Sequence, residues 1–114
     1  MYVEIELGGK TRRLRYDYNA LSDVEEKAGF GIGVMFSEER AGYNVNRLLL
    51  WGGLKWADHG ITVAKVGAML GEYIADGGDM DELMGKVKQA LAKSRLIKFE
   101  ESGNEGNAEA ETAN

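Results

Sequence analysis

The sequence predicts an α+β, mainly α fold: an N-terminal β-hairpin packed on a small bundle of about four to five helices. Three observations carry this. Apolar and charged residues nearly alternate on both sides of Gly8-Gly9-Lys10. From residue 19 onward, apolar residues recur at helical spacing. Glycines and Asp, Asn or Thr caps then punctuate the chain between these stretches. Residues 1–97 read as a single globular domain, and residues 98–114 as a disordered acidic tail. A chain of 114 residues has room for one core.

The hairpin is expected over residues 2–16. Tyr2, Ile5 and Leu7 mix with Glu4 and Glu6 in the first strand. Gly8-Gly9-Lys10 supplies turn chemistry, because glycine takes positive φ without a Cβ clash. Thr11 to Tyr16 resumes the strand, with Leu14 and Tyr16 on one face and Arg13 and Arg15 on the other. A lone hairpin is marginal in water, so it must pack on helices or pair with another chain.

Helices are expected at about 19–28, 34–41, 44–58, 63–75 and 80–97. Asp17 or Asn19 caps the first, Leu21, Val24 and Ala28 form its stripe, and Gly29 stops it. The glycine-rich link 29–33 leads into the second, where Met35 and Phe36 point inward and Gly42 ends the element. The third is the most apolar: Val45, Leu48, Leu49 and Gly52 keep a 3.6-residue period, while Leu50, Trp51, Leu54 and Trp56 cover much of the rest. Such a helix is either the centre of a small bundle or a face that meets a partner, and an oligomer permits both. Thr62 caps the fourth, with Val63, Val66, Gly67, Leu70 and Ile74 as its stripe. Asp79 caps the fifth, with Glu82 in a capping-box-like position and Met80, Leu83, Met84, Val87 and Leu91 along one side.

Composition excludes several function classes. The chain has no cysteine, which removes disulfides, thiol nucleophiles and zinc–thiolate sites, and a reducing cytoplasm is the natural compartment. The N-terminus has neither the basic region nor the apolar stretch of a signal peptide. The longest apolar run, Leu48 to Leu54 with glycine counted, falls far short of the roughly 20 residues of a membrane span. Net charge is −5, yet residues 98–114 hold one lysine and five glutamates, which leaves residues 1–97 at −1. A nearly neutral domain with an acidic tail argues against nucleic-acid binding, which needs a concentrated basic surface.

Four constellations fail as chemistry. Gly29-x-Gly31-x-Gly33 lacks the third glycine of a dinucleotide fingerprint, since position 34 is Val34, and it follows a helix rather than a strand. Asp76-Gly-Gly-Asp79-Met-Asp81-Glu82 misses the calcium-loop register and reads as a helix stop followed by a helix cap. His59, the single histidine, has no serine or cysteine placed as an obvious nucleophile and reads as a loop histidine. Asp23, Glu25 and Glu26 share one short helix and read as a solvated face, since paired catalytic carboxylates usually come from separate segments. No catalytic residue, metal site or cofactor is therefore expected.

Two pieces in order resemble a known family. The first is a strand, Gly8-Gly9-Lys10, the strand Thr11–Tyr16, then Asp17-Tyr18-Asn19-Ala20-Leu21 running into Val24-Glu25-Glu26-Lys27-Ala28-Gly29. The second is Arg47-Leu48-Leu49-Leu50-Trp51-Gly52-Gly53-Leu54, followed by a capped helix holding Val66-Gly67. This order resembles the tail assembly chaperones of long-tailed bacteriophages and related gene transfer agents. In that family a strand–Gly-Lys–strand leads into an Asn-Ala-Leu…Glu helix, and a Leu-Leu-x-x-Gly-Leu helix follows. The likeness spans roughly residues 2–95.

The resemblance implies a small, largely helical, self-associating protein that binds the tape measure protein and helps recruit tail tube protein. It implies action in the host bacterial cytoplasm and absence from the mature virion. A frameshifted longer product is a further property of many such proteins. A displaceable apolar surface that shields a helical partner suits the role, and Leu50, Trp51, Leu54 and Trp56 are the candidate contacts. The rival reading is a structural virion component, a tail tube or head–tail connector subunit. The single visible hairpin speaks against a tube ring, which needs extensive sheet. A small enzyme or nucleotide-binding regulator has no positive support.

Overall fold

A computed structural model describes residues 1–98 of the chain. The expected tail, 98–114, lies outside the described residues except for Lys98. Among the described residues the architecture is α+β and mainly α, an antiparallel two-stranded hairpin followed by five helices.

The hairpin pairs β1 (Val3–Leu7) with β2 (Lys10–Leu14), and Leu7 faces Lys10 across a two-residue turn. Gly8 and Gly9 hold φ of 65° and 81°. Both are positive, as a type I′ turn requires, and that turn matches the strand twist. Lys10 thus begins the second strand rather than closing the turn. Val3, Ile5 and Leu7 are buried on one face and Glu4 and Glu6 are exposed on the other. Leu14 and Tyr16 continue the buried side on the second arm. Tyr2 belongs to the opposite face, because side chains alternate along a strand.

Helix α1 spans Tyr18–Ala28. Asp17 caps it by accepting from the Ala20 amide, and Gly29 ends it at φ 85°. The short helix expected at 34–41 is instead a single turn, α2 (Ile32–Met35). It starts early because Glu25 Oε2 accepts the Ile32 amide at 2.7 Å. It stops early because the Ser37 hydroxyl donates back to the Val34 carbonyl at 2.7 Å, while the Arg40 and Ala41 amides turn onto the Ser37 carbonyl. Ile32 and Met35 are the side chains it buries.

Helix α3 covers Tyr43–Leu54 rather than 44–58. After Leu54 the Ala57 and Asp58 amides both bond to the Leu54 carbonyl, and the Ile61 amide bonds to Asp58, so the chain leaves the helix in tight turns. Trp56 therefore sits on a turn, not on α3. Leu48, Leu49, Leu50 and Leu54 are all at most 3% exposed, which places α3 at the centre of the molecule. It touches α1, α4, α5 and β2.

Helix α4 (Val63–Ala75) is capped by the Thr62 hydroxyl, and α5 (Met80–Ser94) by the Asp79 carboxylate. Helix α5 ends three residues before the expected 97, at Arg95 with φ 65°. Leu83, Val87, Ala90 and Leu91 are its buried side, and it packs with α4 against β1. In α4 the buried positions are Val66, Met69 and Leu70, whereas Ile74 is 49% exposed. The inward stripe is thus rotated from the expected one, and part of the apolar surface of α4 faces outward.

Candidate functional site

Two surfaces stand out, and the four expected contact residues do not share either one. Leu50 and Leu54 are 0% and 2% exposed and belong to the core. Their side chains fill the space between α3 and its neighbours, so neither presents a surface. Trp51 and Trp56 are half-buried and lie apart along the exit of α3.

Both indoles have a partner for their N–H. Trp51 donates to the Ile61 carbonyl at 3.2 Å, tying α3 to the loop before α4. Trp56 donates to the Arg13 carbonyl at 3.0 Å, tying the turn after α3 to β2. Their faces are covered by cations. Lys27 and Lys55 stand 5.2 and 5.0 Å from the Trp51 ring centre. Arg15 stands 5.3 Å from the Trp56 ring, and Tyr2 stacks on that ring at 6.4 Å. Arg13 lies 4.6 Å above Tyr2 in turn. Arg15, Lys55 and Trp56 line one small pocket, so these groups form one stripe of alternating rings and cations. Cation–π contacts contribute roughly 0.5–1 kcal/mol each at exposed sites.

The glycines beside Trp51 explain why α3 sits where it does. A Cβ on Gly53 would lie 2.7 Å from the Tyr16 ring and 2.8 Å from Leu14 Cδ2, and one on Gly52 would lie 2.3 Å from Val24 Cγ2. The pair lets α3 cross α1 and the end of the hairpin in direct contact. Tyr16 then donates its phenol to the Leu49 carbonyl at 2.5 Å, and the Arg15 amide donates to the Gly53 carbonyl at 2.9 Å. Complete burial pushes the Tyr16 phenol far above its ordinary value.

The second surface is an open groove of about 620 Å³ between the start of α3 and the outer side of α4. Ala64, Gly67, Leu70 and Gly71 line it from α4, with Tyr43 and Arg47 from α3. Ile74 and Met80 lie at the end toward α5. Tyr43 is 90% exposed, and a Cβ on Gly71 would meet no atom within 4 Å. Sequence reasoning missed this groove. Its signal was present: Ala64, Gly67, Ala68 and Gly71 follow i, i+3, i+4, i+7 spacing, a strip of small residues along one helix face.

The constellations rejected as chemistry serve structural ends. Asp79 Oδ1 accepts from the Asp81 and Glu82 amides. His59 Nε2 donates to the Trp56 carbonyl at 2.9 Å, within the exit turn. Gly29 and Gly31 are the C-cap of α1 and the N-cap of α2. Asp23 and Glu25 are more than a solvated face, since Asp23 pairs with Lys55 and Glu25 caps α2. Among the described residues no group of three or more His, Cys, Asp or Glu side chains could hold a metal ion, and no helix is long and apolar enough to cross a membrane. No protein-family model, curated protein or solved structure matches the chain.

Proposed function

We propose that this chain is a tail assembly chaperone of a long-tailed bacteriophage or a related gene transfer agent. It holds the tape measure protein and helps recruit tail tube subunits in the host cytoplasm, and it leaves before the virion matures. Its role is binding rather than catalysis. The observation that supports this most is the α3–α4 groove, an open apolar channel floored by small residues. Such a channel suits an amphipathic helix laid along it. The ordered motifs, from the Gly8-Gly9 hairpin to Leu49-Leu50-x-x-Gly53-Leu54, are the reason to name a tape measure helix as that partner.

The groove replaces the tryptophan surface as the better contact site. Both indoles are engaged by the chain's own carbonyls, and truncating either would loosen the fold together with any interface. Gly71→Trp is the cleaner probe, because the site is open and glycine is a poor helix former. Co-expression with the tape measure protein should give a co-purified complex for the wild type. Filling the groove should weaken it by about tenfold or more, some 1.4 kcal/mol, with the circular dichroism spectrum unchanged. Equal recovery of the variant would remove the groove from the reading. No complex with the wild type, or high copy number in purified virions, would remove the chaperone role itself.

A further inference from the structure

We infer that the stripe of rings and cations over Tyr2, Trp56 and Trp51 is a docking surface for a glutamate-rich segment, and that its occupant is residues 99–114 of the same chain. This does not rest on the chaperone reading, since the groove and the stripe are separate surfaces.

The stripe carries four cations, Arg13, Arg15, Lys27 and Lys55. Glu4 pairs with Arg13 and Asp23 with Lys55. Arg15 and Lys27 form no ion pair among the described residues, and each instead rests on a tryptophan face. Asp17 lines the pocket of Arg15 and Trp56 without pairing with Arg15, so two half-exposed indoles flanked by two unpaired cations fit a chain of carboxylates with small spacers. Residues 99–114 contain Glu100, Glu101, Glu105, Glu109 and Glu111, no cation, and mainly Gly, Asn, Ala and Ser between them. Every lysine and arginine of the sequence lies within residues 1–98, where acidic residues balance them overall, so the complementarity to the segment is local to Arg15 and Lys27.

Position and reach agree. Leu96 and Ile97 share a surface pocket with Tyr18, Leu21 and Ser22 of α1. Helix α1 also carries Asp23 and Lys27, so the segment departs beside a helix that borders the stripe. Sixteen extended residues span up to about 50 Å, more than the 45 Å longest extent of the molecule.

The chain provides its own reporters, because its two tryptophans both lie on the stripe and it has no cysteine. Ala110→Cys therefore gives one site for a nitroxide label in the full chain. The two indole N–H signals of the 15N-labelled protein should lose intensity relative to the reduced label at about 0.05 M salt. They should recover at about 0.5 M, where the screening length falls well below 10 Å. Converting the five glutamates to glutamine in the full chain should also restore them, as should Arg15→Gln combined with Lys27→Gln. Absence of broadening would overturn the proposal, as would broadening that ignores salt and both sets of substitutions. Mixing unlabelled nitroxide-bearing chain with 15N wild type should leave the indole signals unchanged. If broadening appears in that mixture as well, the occupant is a second copy and the intramolecular assignment is wrong.

Discussion

Helices α3 and α4 each carry a glycine pair near small or apolar neighbours, and the two pairs do opposite things. At Gly52-Gly53 there is no space for even one Cβ, and the missing atoms let three elements meet. At Gly71 there is no atom to meet, and at Gly67 only Arg47 stands near, at an ordinary 3.7 Å. The first pair closes the core and the second opens a groove. A glycine in a helix costs about 1 kcal/mol relative to alanine wherever it stands. In α3 that cost is offset by close packing. At Gly71 no neighbour offsets it, as at Gly85 in α5, but only Gly71 of these two lines the groove.

The largest expected effect breaks the closed side. Gly53→Ala drives a methyl into the Tyr16 ring and Leu14. Neither neighbour yields easily, since Tyr16 is tethered by its hydroxyl and Leu14 is 0% exposed. Overpacking costs about 1–3 kcal/mol, and helix propensity returns up to about 1 kcal/mol. The urea midpoint should fall clearly. A midpoint at or above wild type would mean the crossing is not tight.

Tyr16→Phe comes next and tests the tether itself. Removing the phenol leaves the Leu49 carbonyl without that donor, at a cost of about 1–1.5 kcal/mol. The pH dependence has a definite sign. Burial raises the phenol above its ordinary 10.0 in the folded state, so the unfolded chain loses this proton first as pH rises. The stability contributed by the neutral phenol is complete below pH 10 and declines above it. The deficit of Tyr16→Phe should therefore shrink above about pH 10. A gap that stays constant up to pH 11.5 would count against burial as the cause.

These two regions were not equally legible in the sequence. Asp17, Thr62 and Asp79 are short polar residues before apolar periodic runs, and each is found capping its helix. The hairpin followed from alternation about Gly8-Gly9. What sequence could not supply was which local amides and side chains close each turn. Helix α3 stops at Leu54 because turn amides converge on its carbonyl, and α2 is displaced by the Glu25 cap and the Ser37 turn. Leu50 and Trp56 would share one broad apolar surface only on a single long helix, and α3 ends at Leu54. Ile74 fits the period of the α4 stripe, but the partners of α4 lie to one side of that stripe, toward Met69 and the hairpin turn. Periodicity identifies an apolar face and is silent on how much of it the rest of the chain covers.

The smallest expected effect sharpens the open side. Gly71→Ala adds a methyl that meets no atom within 4 Å, at a helical position without positive φ. Alanine removes backbone freedom from the unfolded chain and suits the helix, so the variant should gain about 0.5–1 kcal/mol. A thermal midpoint a few degrees higher is the expected reading. Gly67→Ala should gain less, because its Cβ would meet the Arg47 side chain. A neutral or destabilising Gly71→Ala would show that α4 needs its glycine for folding, and the contrast with α3 would vanish. If the gain is found, the wild-type chain keeps a less stable helix where small residues line an open groove. The alanine variant then becomes a graded probe. One methyl narrows the groove where the indole of Gly71→Trp fills it, so partner affinity should fall in that order while stability does not.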